Sequence, residues 1–162
     1  MTNLEYLESS EWGKLIAAAL VSMIPVLELR GGIPFGVGVG LRPLEAWAAC
    51  VVGNMLPVPL IIVYIRRIFQ WLRAAVPRLG HFIDRLERKA HLKGRTVLKY
   101  RYWGLFLFVA LPLPGTGGWT GALVAAFLNM RLKSASLSIF CGLLVAGLIV
   151  TVLTSSVSAI LG

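Results

Sequence analysis

Apolar residues fill this chain in four blocks, and two of the four are interrupted. Residues 12–41 are apolar except for Glu28-Leu29-Arg30-Gly31-Gly32-Ile33-Pro34, and residues 102–130 except for Pro112-Leu113-Pro114-Gly115-Thr116-Gly117-Gly118-Trp119-Thr120-Gly121. The other two blocks, residues 44–64 and 135–160, run without a charge apart from Glu45 at the start of the first. At about 1.5 Å per residue, residues 44–64 make about 31 Å of helix, enough to cross a bilayer. A basic turn, Arg42-Pro43 in one half and Arg131 with Lys133 in the other, joins each broken block to an intact one. The order is broken block, basic turn, intact span, and then the same again. This predicts an all-α integral membrane protein with one membrane domain: a first repeat over residues 1–65, a connector over 66–101 and a second repeat over 102–162.

Length leaves two ways to place a broken block. Residues 15–27 make about 20 Å of helix and residues 33–41 about 13 Å. End to end they would cross once; folded back they would form a re-entrant helical hairpin. With hairpins each half crosses once, the halves are oppositely oriented, and both termini lie outside the cytoplasm. That is an inverted-topology repeat. Hairpins place Arg131 and Lys133 inside with the connector, whereas interrupted crossings move them out. The positive-inside rule therefore favours hairpins.

Composition agrees with a membrane protein. The chain is 57% hydrophobic with mean hydropathy +0.80, and its charged fraction is 14%, against about 25% in soluble domains. Residues 15–27 do not read as a signal peptide: acidic residues precede them and no clear cleavage site follows. The net charge of +9 lies wholly in residues 66–101, which hold eleven Lys/Arg against Asp84 and Glu87. Beside membrane spans, such a segment reads as a cytoplasmic connector and not as a nucleic-acid site. Within it Leu79, Phe82, Ile83, Leu86 and Ala90 recur at helical spacing, with Arg78, Arg85, Arg88 and Lys89 on the other faces. Pro77 suits a start and Gly94 a stop, which predicts an amphipathic helix on the inner leaflet. It would anchor and orient the connector or recruit lipid headgroups. Cys50 and Cys141 fall in the spans as small hydrophobes, and no metal spacing or cofactor motif is present. His81 and His91 have no visible partner.

The breaks carry the candidate chemistry. An ionisable residue at membrane depth is costly and marks a functional site by default. Glu28 and Arg30 would point apart on a regular helix but could share a cavity in an unwound stretch. One reading is a proton-carrying carboxylate beside a fixed cation; the other is a salt bridge that locks the break. Gly31 and Gly32 allow close backbone approach, and Pro34 suits the first turn of a following half-helix. Gly115, Thr116, Gly117 and Gly118 before Trp119 and Thr120 offer the same geometry in the second half. Two half-helix N-termini meeting at mid-membrane around Arg30 would hold an anion. Pro112 and Pro114 open the second break, and Trp119 reads first as a packing anchor. Asn54, with Pro57 and Pro59, interrupts the first intact span as a kink bonded to a neighbouring helix, or as a hinge in the pathway. Glu45, near Trp47, reads as an interfacial acid. No Ser/His/Asp, Cys/His or paired-carboxylate constellation occurs, so no enzyme activity is expected.

These two motifs resemble the small multi-drug export protein family of prokaryotic membrane proteins, over essentially the whole chain. More distantly the chain is similar to the DedA/VTT membrane proteins. That resemblance implies re-entrant hairpins paired with spanning helices in an inverted repeat, a prokaryotic inner-membrane location and, for some members, movement of undecaprenyl phosphate. Glu28, Arg30 and Pro34 match the first hairpin, and residues 112–121 the second. The arginine that DedA proteins typically carry in the second hairpin is missing, and Arg131 is the nearest candidate.

The expected function is a proton-coupled secondary transporter of an amphiphilic solute, first an anionic carrier lipid such as a polyprenyl phosphate. The alternatives are an exporter of cationic lipophilic drugs, with Glu28 facing the cation and Trp12, Trp47 and Trp119 supplying aromatic faces, and a non-transporting membrane scaffold. Two spans and two hairpins enclose little by themselves, so a homodimer or other homo-oligomer is expected, with no cofactor and no nucleic acid.

Overall fold

The computed structural model describes residues 10–75, 94–113 and 115–161. Among these residues there are seven α-helices and no strand: α1 Glu11–Ser22, α2 Glu28–Gly38, α3 Pro43–Met55, α4 Pro57–Ala75, α5 Gly94–Ala110, α6 Gly118–Phe127 and α7 Leu132–Leu161. The expected amphipathic helix, residues 77–94, lies almost wholly outside the described residues. Gly94, expected to stop that helix, instead starts α5.

Local signals explain most boundaries. Ser10 caps α1, its Oγ accepting from Gly13 N at 3.0 Å. Pro43 opens α3, where Glu45 accepts from the Arg42 N–H at 3.1 Å. Glu45 is only partly buried there, as an interfacial acid would be. Pro57, which cannot donate to the preceding turn, divides α3 from α4 at Leu56.

The first break is not where the composition puts it. Glu28–Gly38 is helical and Pro34 lies inside it, so the interruption is the turn at residues 23–27 around Pro25. Glycines and a charged pair are compatible with a helix when packing rewards them. Gly32 and Gly36 are buried in the helix interface: side chains there would press on Ser22, Cys50, Ala18 and Ala46. Small residues of this kind let membrane helices approach closely. The contacts Gly32–Ser22 and Gly36–Ala18 run in opposite senses, so α1 and α2 are antiparallel arms. At 12 and 11 residues, neither arm reaches the roughly 20 residues needed to span a bilayer.

The second half repeats this packing. Gly40 and Asn129 both take positive φ, +94° and +49°. Leu41 N then bonds Gly36 O, and Met130 N bonds Ala125 O, each at 3.0 Å. These are helix-terminating turns of one kind, and each leads through an arginine, Arg42 or Arg131, into the next helix. Gly32 meets Cys50 and Ser22 as Gly121 meets Ile139 and Val109. Gly53 lies on Ala19 and Ser22 as Gly142 lies on Phe106 and Val109.

Two helical stretches are long and apolar enough to cross a membrane, Pro43–Ile68 through the Pro57 break and Leu132–Val157. Helices α1 and α2 pack on α3, and α6 packs chiefly on α4, the other half of the same stretch; α7 touches both groups and carries α5. Trp47 fastens α3 to α7, its indole N–H donating to Leu144 O at 3.2 Å while the ring covers Gly147. A core of Ile33, Val58, Ile62, Val109, Ile139 and Leu143 is sealed, yet the outer face is equally apolar, with Leu107, Leu137, Leu148, Val152 and Leu153 exposed. An exposed apolar belt of this extent fits lipid as solvent.

Candidate functional site

The tip of the α1–α2 pair and the tip of the α5–α6 pair touch, and both charged residues of the first motif act across that contact. Helix α5 ends at Ala110 and α6 begins at Gly118, so the first helical N–H groups of α6 have no partner within their own helix. The Glu28 carboxylate supplies one. Oε1 accepts from Trp119 N at 3.2 Å, and the Gly118 N–H also faces it. Glu28 is 7% exposed and holds a left-handed backbone at φ +45°, so an unusual conformation aims the side chain at the neighbouring helix. An anion at the N-terminus of a helix is matched to the positive end of the dipole.

Arg30 does the complementary thing. Its Nη2 donates to the carbonyls of Leu113 and Thr116, the latter at 3.0 Å, and lies 3.3 Å from Thr116 Oγ1. These carbonyls belong to the irregular stretch that follows α5. Thr116 organises the stretch: its hydroxyl approaches Leu111 O at 2.6 Å and Leu113 O at 2.8 Å and accepts from Leu113 N at 3.1 Å. Trp119 completes the junction, its indole N–H donating to Met23 O at 3.0 Å in the turn of the first tip. The acid and the base are therefore not paired with each other; each satisfies backbone groups of the opposite tip.

The expected residues sort as follows. Glu28, Arg30, Thr116, Gly117, Gly118 and Trp119 form the junction, with Pro112 beside it in the wall of a small cavity. That cavity, also lined by Val109, Leu143, Ala146 and Val150, has a volume of about 10 Å³, the room of a single water. The junction is closed. Gly32 faces the α1–α3 interface instead, Gly31 lies against Leu27, and Pro34 is exposed on α2. Gly115 takes φ +88° with open space beside it. Thr120 is half-buried in the first turn of α6, and Pro114 lies outside the described residues. Of the two half-helices that follow the described tips, α6 has the open N-terminus: in α2, Glu28 N bonds Ile24 O and Gly31 N bonds Leu27 O. Arg131 is exposed beyond the far end of α6, at the position that matches Arg42, and so takes no part in the tip.

Asn54 stands apart from the kink explanation. It is 0% exposed, its Oδ1 lies against Gly118, and neither amide atom has a hydrogen-bond partner. A buried amide without partners costs about 1–3 kcal/mol, and such groups call for a reason. Asn54→Leu is expected to raise the thermal midpoint of the detergent-solubilised protein. A lower midpoint would mean that the amide is paired in the folded state. Ser22, also fully buried, shows the contrast: its hydroxyl bridges Ala19 O at 2.7 Å and Cys50 O at 2.9 Å. The sequence pointed to neither Ser22 nor Met23, since a serine and a backbone carbonyl carry no motif.

No curated protein and no solved structure matches the chain. Residues 28–149 match one family, beginning at Glu28 and taking in Arg30, the whole second tip and the first part of α7. With apolar spans, an apolar exterior and this match over most of its 162 residues, the chain is a membrane protein that belongs to the small multi-drug export protein family.

Proposed function

We propose that this protein is a secondary transporter of an anionic amphiphile, opened and closed by parting its two tips. One observation carries the reading: the Glu28 carboxylate sits on the N-terminus of α6, with the Arg30 guanidinium on the adjoining loop. An oxyanion already occupies the place where free N–H groups and the helix dipole favour one, and it is the protein's own. Withdrawing Glu28 would free the Gly118 and Trp119 N–H groups. Withdrawing Arg30 from Thr116 would free its planar fork, which fits phosphate. The emptied site would be cationic, suited to the headgroup of a polyprenyl phosphate or a lipid like it. Protonating Glu28 replaces a charged acceptor by a neutral acid, whose hydrogen bonds are about half as strong. That would couple opening to a proton gradient.

The same reading makes α1–α2 and α5–α6 re-entrant hairpins of an inverted repeat. Its support is the matched turns and glycine contacts, the packing of α1–α2 and of α6 on opposite halves of Pro43–Ile68, and tips as the junction between them. The basic segment would then be cytoplasmic and both termini outside the inner membrane. A cysteine appended after Gly162 is expected to react with an impermeant reagent on intact spheroplasts; labelling only after lysis would contradict the hairpin topology. Leu111, Leu113 and Gly115 are exposed at the tip, and irregular backbone at membrane depth needs protein around it. A two-fold dimer would provide it.

The binding test uses purified protein and a polyprenyl phosphate in mild detergent. Arg30→Ala is expected to weaken binding at least ten-fold, and Arg30→Lys, which keeps the charge but loses the fork, by less. Equal binding by all three proteins would overturn the anionic reading. The family's description, multi-drug export, favours a second reading in which Glu28 meets a cationic drug. The aromatic residues do not gather for it: the indole N–H groups of Trp47 and Trp119 are engaged in separate places, and Trp12 is 77% exposed. A gain of resistance to quaternary ammonium compounds on overexpression would favour that reading.

A further inference from the structure

Away from the tips, α5 and α6 diverge and leave an open groove of about 550 Å³ lined by Tyr100, Arg101, Gly104, Leu105, Phe108 and Val124, with Leu128 at its end. That volume falls in the range of roughly 300–1,000 Å³ typical of small-ligand sites. The wall is apolar apart from the arginine and the tyrosine hydroxyl. At its inner end Phe108 adjoins Val109, which lines the central cavity. At its outer end Arg101 lies nine residues from the end of α5, about 13 Å along the helix.

Arg101 forms no salt bridge with an acid among the described residues. Its guanidinium lies over the Tyr102 ring, 4.8 Å from the centroid, and Nη2 donates to the Tyr102 hydroxyl at 3.0 Å. Nε is buried without a hydrogen-bond partner. The acids among the described residues are Glu11, Glu28 and Glu45; the last forms an exposed pair with Arg42, and Glu28 is committed to α6. Arg66 on α4 likewise has Nε and Nη2 buried and unpartnered. An arginine that merely snorkels places its head in water; these two hold donor nitrogens under cover beside apolar surface.

We infer that the α5–α6 groove is a binding site for one anionic membrane phospholipid, with an acyl chain along Leu105, Phe108 and Val124 and the phosphate at Arg101. The charge and the apolar wall are complementary to the two ends of such a lipid, and basic pockets between helices bind acidic headgroups in this way. The site does not depend on the transport reading of the tips. Arg101 is the last residue of the basic connector, and the site differs from attraction of lipid to the rest of that connector, which needs no groove.

Gly104, which lines the groove, allows a test, because nothing lies within 4 Å of a Cβ placed there. Gly104→Leu, starting from that open Cβ position, is expected to obstruct the groove, and Arg101→Gln removes the charge. The experiment is native mass spectrometry of the full chain from mild detergent with equimolar phosphatidylglycerol and phosphatidylcholine of equal chain length. The wild type is expected to retain one phosphatidylglycerol per chain, at least five-fold over phosphatidylcholine. Arg101→Gln should bring that ratio near one, and Gly104→Leu should lower retention of both lipids about ten-fold. Unchanged midpoints would show that both variants fold. Lipid retention that survives both substitutions would place it on the connector and overturn the inference. So would a Gly104→Leu protein that changes only its dimer fraction, since the groove would then seat a second copy. Transport plays no part in the readout, so loss of the transport reading leaves this test intact.

Discussion

Gly117→Ala is expected to be the most damaging single-methyl change in this protein. Gly117 has φ +143° and ψ −167°, a region that only glycine occupies without strain, costing about 1–3 kcal/mol for other residues. A methyl group there would also overlap the Glu28 carboxylate. Displacing that carboxylate removes its bonds to α6, and charge-assisted bonds contribute about 1.5–3 kcal/mol. The combined loss is about 2.5–6 kcal/mol on those two ranges. Gly115→Ala is the control. Its φ of +88° is also left-handed, but no neighbour lies within 4 Å, so only the backbone strain of about 1–3 kcal/mol applies. Thermal midpoints of the two variants in one detergent measure the difference. Equal losses would mean that Glu28 does not rest on Gly117.

Glu28→Gln is the second large effect, and it separates two properties. The amide is nearly the same shape, but it offers a neutral oxygen to the N–H groups of α6, and its own NH2 faces donors. About 1.5–3 kcal/mol of the closed state is expected to be lost, seen as a lower midpoint. In proteoliposomes, flux of the substrate should become independent of an imposed pH gradient, because the exchangeable proton is gone. A variant with wild-type stability and undiminished proton dependence would remove Glu28 from both roles. A variant that loses stability but keeps proton dependence would leave Glu28 as a structural latch alone.

The latch changes how the charged pair is understood. Glu28 and Arg30 are two residues apart, which invites the idea that they face each other or one shared cavity. In the fold each turns to the other tip, the acid to N–H donors and the base to carbonyl acceptors. The closed junction is held by four hydrogen-bonding groups: Glu28, Arg30, Thr116 and the Trp119 indole. Trp119 also matters for the comparison of the halves. With the offset that aligns Arg42 with Arg131 and Gly32 with Gly121, Arg30 aligns with Trp119. The second tip thus carries an indole where the first carries a guanidinium, and Arg131 is the counterpart of Arg42.

Much was legible in the residues themselves. The four apolar blocks, the basic turns and the charge-rich connector follow from the cost of placing charge and unpaired backbone in lipid, which is paid residue by residue and so is written locally. The second break was equally plain, since Pro112, Gly115 and Gly117 cannot continue a helix. The first break was misplaced because Glu28, Gly31, Gly32 and Pro34 look like helix breakers in isolation. Packing on Ser22 and Cys50 makes Gly32 an asset, and the chain bends instead at Pro25. Only tertiary structure decided which groups meet: the partners of Glu28 and Arg30 are backbone atoms about ninety residues away, and backbone atoms carry no signature in a sequence. The same holds for the unpaired amide of Asn54 and the groove beside Arg101. Hydrophobicity is a property of each residue and survives reading one letter at a time; hydrogen-bond satisfaction and cavity shape belong to pairs of surfaces, and exist only once the chain has brought those surfaces together.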